Sequence, residues 1–98
     1  MKRIAITFTF QTDIIVVPED IAKNIKKIQR SFDRWLYDKN NDHGCWEIIN
    51  GKKRAVSFDT DVFVDYINNH YLNDRCDKVL VTERDVNIVS TVFATLFF

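Results

Sequence analysis

Two histidines and two cysteines, His43, His70, Cys45 and Cys76, are the side chains best suited to hold a metal. Structural zinc sites take four such ligands but pair them tightly, with Cys-x₂₋₄-Cys as the usual signature. Here the pairs read His-x-Cys and His-x₅-Cys, so neither a metal nor any other cofactor is expected. Nucleophilic catalysis needs a Cys or Ser beside a base with a third group orienting it. His43 and Cys45 sit two apart, a spacing that residues on one strand face share without catalytic meaning. Serines are scarce, at Ser31, Ser57 and Ser90. Phosphate loops require clustered glycines for close backbone approach, and Gly44 and Gly51 stand alone. The carboxylate pairs Glu19-Asp20, Asp59/Asp61 and Asp74/Asp77 read as helix-dipole partner, helix cap and charged loop. No enzyme is expected.

Cations form the one surface pattern with a regular spacing. Lys23, Lys27, Arg30 and Arg34 recur at four, three and four, which places them on one face of a helix, with Lys26 flanking. Lys52, Lys53 and Arg54 make a second cluster at a hairpin. If helix and hairpin tip lie side by side, these seven residues form a binding patch for an acidic surface or for phosphates. The plain alternative is a solvated helix face, since lysine is a good helix former.

Those side chains depend on elements that the hydrophobic periodicity lays out. Residues 3–10 alternate, with Ile4, Ile6, Phe8 and Phe10 on one side, as in a half-buried strand. Gln11-Thr12-Asp13 is a candidate turn into a second strand at 14–17, forming a hairpin, or a bend in one long strand. Pro18-Glu19-Asp20 opens a helix running to about Asp38, with the stripe Ile21, Ile25, Ile28, Phe32, Trp35 and Leu36. Residues 39–44 read as loop. Asn50-Gly51, between strand-like segments 45–49 and 52–58, is a strong type I′ hairpin signal. A second helix follows, capped by Asp59 or Thr60, with Phe63, Tyr66, Ile67, His70 and Tyr71 inward and Asp61, Asp65, Asn68 and Asn69 outward. Residues 78–82 read as a strand. Residues 86–98 read as strand by their Val, Ile, Thr and Phe content. The helical alternative there has Val86, Val89, Phe93, Leu96 and Phe97 on one face and a Thr82/Asp85 capping box.

The expected architecture is therefore α+β: a single small domain over residues 1–98, with a mostly antiparallel sheet and two helices on one face, in the order β-β-α-β-β-α-β-β. If the first two strands are one, the core becomes βαββαβ, which resembles a ferredoxin-like split in topology alone. A chain of 98 residues with 46% hydrophobic and 13% aromatic residues holds material for a core. Net charge is zero, yet residues 1–54 carry 11 basic against 7 acidic groups and residues 55–98 carry 3 against 7. This polarity suits orientation on a protein partner better than nucleic acid, whose binders more often carry a basic excess. The start MKRIAITFTF has no apolar signal core, and no run approaches the ~20 residues of a membrane span. A cytoplasmic protein with reduced thiols is expected, a Cys45–Cys76 disulfide being the lesser alternative.

These readings rank a small non-catalytic protein-binding module first. An inhibitor, immunity or anti-defence protein of bacterial or phage origin fits it, similar to anti-CRISPR proteins in size and lack of motifs. A nucleic-acid-binding domain using the basic helix face and hairpin tip ranks second, and a small enzyme or zinc protein third. The partner is expected to be another protein, the chain itself a monomer or homodimer.

Overall fold

The computed structural model describes residues 1–87 and 91–98. Strands β1 (Lys2–Thr7) and β2 (Thr12–Val17) form an antiparallel hairpin registered from Lys2↔Val17 to Thr7↔Thr12. The first two strands are thus distinct, and the condition for a βαββαβ core is not met. The first strand stops at Thr7, earlier than its alternation implies, because a four-residue turn closes by Phe8 N–H donating to the Gln11 carbonyl at 2.7 Å. Phe10 lands on the turn and is 94% exposed, not inward. Asp13, expected in the turn, belongs to β2 opposite Ile6.

The predicted first helix is present in two pieces, α1 (Glu19–Lys23) and α2 (Ile25–Leu36). Asn24 breaks it, with φ −113° and its side-chain amide donating to the Asp20 carbonyl at 2.9 Å. Such a local side-chain bond competes with the helical ladder. The predicted stripe holds across the break: Ile21, Ile25, Ile28, Phe32 and Leu36 are buried and Trp35 is packed against them.

Strands β3 (Trp46–Ile49) and β4 (Lys52–Val56) form the second hairpin. Asn50 at φ +53° and Gly51 at φ +74° supply the two left-handed residues its turn requires. This hairpin stands as its own two-stranded sheet and does not join the larger one. Helix α3 (Thr60–His70) starts at Asp59, whose carboxylate accepts from Val62 N–H at 3.2 Å. Its buried face is Phe63, Val64, Tyr66 and Ile67, while His70 and Tyr71 are exposed. Asn68, read as solvent-facing, instead grips Val79 through both its amide atoms, at 3.1 and 2.8 Å, and so fixes the approach to β5.

Strands β5 (Leu80–Glu83) and β6 (Ala94–Phe97) complete a four-stranded sheet in the order β5-β2-β1-β6, with β6 parallel to β1 and the other pairs antiparallel. The C-terminal segment is therefore strand over Ala94–Phe97, and Thr82 sits within β5 instead of capping a helix. Val89 of the helical alternative and Ser90 lie outside the described residues. Helices α1, α2 and α3 pack on one sheet face through Ile4, Ile6, Ile15, Val17 and Leu96. Phe98 joins this core, stacking on Phe8 and meeting Phe32, Phe58 and Phe63 edge-on, whereas Phe97 is 72% exposed. No helix among the described residues is long and apolar enough to cross a membrane.

Candidate partner-binding surface

Lys23, Lys26, Lys27, Arg30 and Arg34 are all exposed along α1 and α2. None forms a salt bridge among the described residues. Of the nine Lys and Arg elsewhere, four hold a carboxylate: Arg75 with Asp20 and Asp77 at 2.7 and 2.6 Å, Arg84 with Asp61 at 2.8 Å, Arg3 with Glu83 at 2.6 Å, and Lys53 with Asp42. Hydrogen bonds from Arg75 hold the Asp20 and Asp77 carboxyls below their ordinary range, and Arg84 does the same for Asp61. One member of each of the three carboxylate pairs seen in sequence is thereby explained as an ion-pair partner.

The helix cations divide between two grooves. Lys27 and Arg34, with Ser31 between them, line a groove of about 380 Å³ whose floor is Ile21 and Ile28 and whose far wall is Tyr71. The Ser31 hydroxyl meets the Tyr66 phenol at 2.7 Å, and burial raises that phenol's pKa. Lys23, Lys26, Lys27 and Arg30 line the other groove, of about 350 Å³, against Phe93 and Ala94 at the β6 edge. The row shares one helix face, and the two grooves border that face on different sides, with Lys27 lining both.

The hairpin cations are not brought to these grooves, which contain no hairpin residue. Lys53 turns inward, donating to Asp42 and to the Lys39 carbonyl while lying 5.8 Å above the Trp46 ring. Lys52 and Arg54 remain exposed, with Ile48 and Ile49 exposed on the paired strand. A register shift after Glu47 leaves Arg54 without a pairing residue on β3. Of the three hairpin cations, Lys53 is thus drawn to the loop that follows α2.

His43, Cys45 and His70 do line one cleft of about 310 Å³ with Trp35. Their hydrogen bonds point to architecture. His43 Nδ1 accepts from Cys45 N–H at 3.1 Å, so Nε2 carries the proton and donates to the Leu36 carbonyl at 2.7 Å. Burial and the nearby Asp59 raise the Cys45 thiol pKa, the opposite of an activated nucleophile. No three His, Cys, Asp or Glu side chains among the described residues come together as a metal site, and both cysteines are free. The His43 ring lies between Trp35 at 4.8 Å and Trp46 at 5.7 Å, while Trp46 donates to the Asn41 carbonyl at 2.9 Å. This stack seats the hairpin on the helices. A lone two-stranded hairpin is marginal in water, so His43→Ala should destabilise the domain by about 1–2 kcal/mol. The hairpin amides should also lose protection first in hydrogen exchange; unchanged protection at residues 52–56 would refute the stack's role.

Sequence reasoning missed Tyr71 as a groove wall and Asp13 as a buried carboxylate. A signal for Asp13 was present, since positions 13, 15 and 17 share one strand face and the latter two are apolar. Set against protein-family models, curated proteins and solved structures, the chain matches none, so its function is argued from its surfaces.

Proposed function

We propose that this protein is a small non-catalytic module that binds another protein, docking an acidic surface on the α1–α2 ridge. The observation that carries the reading is a concentration of unpaired charge: five exposed cations without a salt bridge among the described residues lie along α1 and α2. Uncompensated like charge on one element raises the local potential, which steers and orients an oppositely charged partner. An apolar floor between Lys27 and Arg34 adds a place for a side-chain anchor. Blocking a larger target in a cytoplasmic setting, as an inhibitor, immunity or anti-defence protein of a bacterium or phage does, fits this design.

The test is affinity capture with the tagged chain, followed by titration of the recovered protein against the parent and the Arg30→Glu/Arg34→Glu variant. Both side chains are exposed, so circular dichroism should not change. Reversal should weaken binding by about tenfold or more, and added salt should weaken the parent complex in the same direction. Equal affinity for the two forms would remove the ridge from the interface. Recovery of nucleic acid in place of protein, with a steep loss of affinity on raising salt, would favour a nucleic-acid interface instead.

A further inference from the structure

A second cleft, away from the ridge, lies between the β1–β2 turn and the start of α3. Its volume is about 400 Å³, within the range of small-ligand sites. Phe8, Phe58 and Phe98 wall it, their rings in mutual contact at 5.5–5.6 Å. The exposed Phe10 also lines it, and Asp13 and Thr60 lie deepest. No Lys or Arg lines this space.

Two buried polar groups there have bonding capacity to spare. Asp13 is 2% exposed, and both of its hydrogen bonds, from Gln11 Nε2 at 2.8 Å and Asp85 N–H at 3.0 Å, fall on Oδ1. The fully buried Thr60 hydroxyl lies close enough to help hold that carboxyl ionised, yet it completes no hydrogen bond among the described residues. A buried hydroxyl left without a partner is costly. The positive end of α3 is already answered by Asp59 and Asp61, and Arg84 is held by Asp61 through two bonds of 3.0 and 2.8 Å. No residue lining the cleft supplies a cationic donor to Asp13 or Thr60.

We propose that this cleft binds an alkylammonium group, with its nitrogen donating to Asp13 Oδ2 and Thr60 Oγ1 and its methylenes against Phe8, Phe58 and Phe98. Aromatic faces attract organic cations, and a desolvated carboxylate at the end of such a wall strengthens the attraction. The group is either a free small amine or a lysine side chain, which share this chemistry. The site goes beyond the ridge reading and stands without it.

The experiment is an NMR titration of the full chain with n-butylammonium, 1-butanol and butyrate. Butylammonium should shift the amides of Asp13, Thr60 and Asp85 and bind about tenfold more tightly than the neutral or anionic probe. The Asp13→Asn variant, which keeps the Oδ1 acceptor, should lose that preference, while Arg30→Glu/Arg34→Glu should retain it. Should the Asn variant not fold, the three-probe series on the parent protein decides alone. A capped lysine tripeptide binding more tightly than butylammonium assigns the source as a polypeptide side chain; the reverse order assigns a free amine. Equal binding of all three butyl probes, shifts confined to other residues, or no binding by either amine overturns the proposal.

Discussion

Phe32→Ala should lower the free energy of unfolding by about 3–5 kcal/mol, read from the midpoint of a urea transition at unchanged slope. Phe32 is fully buried, and its ring meets Phe63 at 5.1 Å, Tyr66 at 5.2 Å, Phe58 at 5.5 Å, Trp35 at 5.9 Å and Phe98 at 6.0 Å. Those partners come from α2, α3, the segment between β4 and α3, and the C-terminus. Removing the ring costs its transfer free energy and also leaves a cavity that five rings anchored in different elements cannot collapse into. With total stability of ordinary domains at about 5–15 kcal/mol, such a loss removes a large share. A shift below about 1.5 kcal/mol, the cost of a small trim such as Ile→Val, would show that Phe32 is not the centre of the core.

Asp13→Ala should cost about 1–3 kcal/mol, because it strands the Gln11 amide and the Asp85 N–H that the carboxylate now accepts. Asp13→Asn should cost less, since an amide oxygen can replace Oδ1. Burial pushes the Asp13 pKa up, but the Gln11 amide, the nearby Thr60 hydroxyl, the Asp85 N–H and the charge of Arg84 together bring it below its ordinary 3.8. A depressed folded-state pKa means the ionised form is favoured by folding. Its contribution is thus complete above the unfolded value near 3.8 and disappears as pH falls through the lower folded value. The stability gap between parent and Asp13→Asn should be flat above roughly pH 5 and close on further acidification. A gap that instead widens toward acid would mean that Asp13 is not held ionised in the folded protein.

Local chemistry was legible wherever one segment decides its own conformation. Asn50-Gly51 specified a type I′ turn because both positions need positive φ. The 21–36 stripe specified a buried helix face because its period is helical, and Asp59 capped α3 as its side chain allows. Legibility failed where a neighbour in space supplied the deciding bond. Asn68 read as a wet residue until Val79 met its amide. Asp13 read as a turn residue until the Asp85 backbone reached it from 72 positions away. Lys53 read as part of a basic patch until the loop after α2 offered a carbonyl and a carboxylate.

The amino-acid order alone determined a single small α+β unit, its helices and hairpins, and a row of cations on the solvent side of the first helical segment, because periodicity, caps and turn residues act within a few positions. Only the tertiary structure decided that the second hairpin stands apart from the main sheet, that the row splits between two grooves, and that a carboxylate and a hydroxyl meet beneath three phenylalanines. Those outcomes depend on which distant segments share a face, and pairing energies between remote residues leave no periodic trace along the chain.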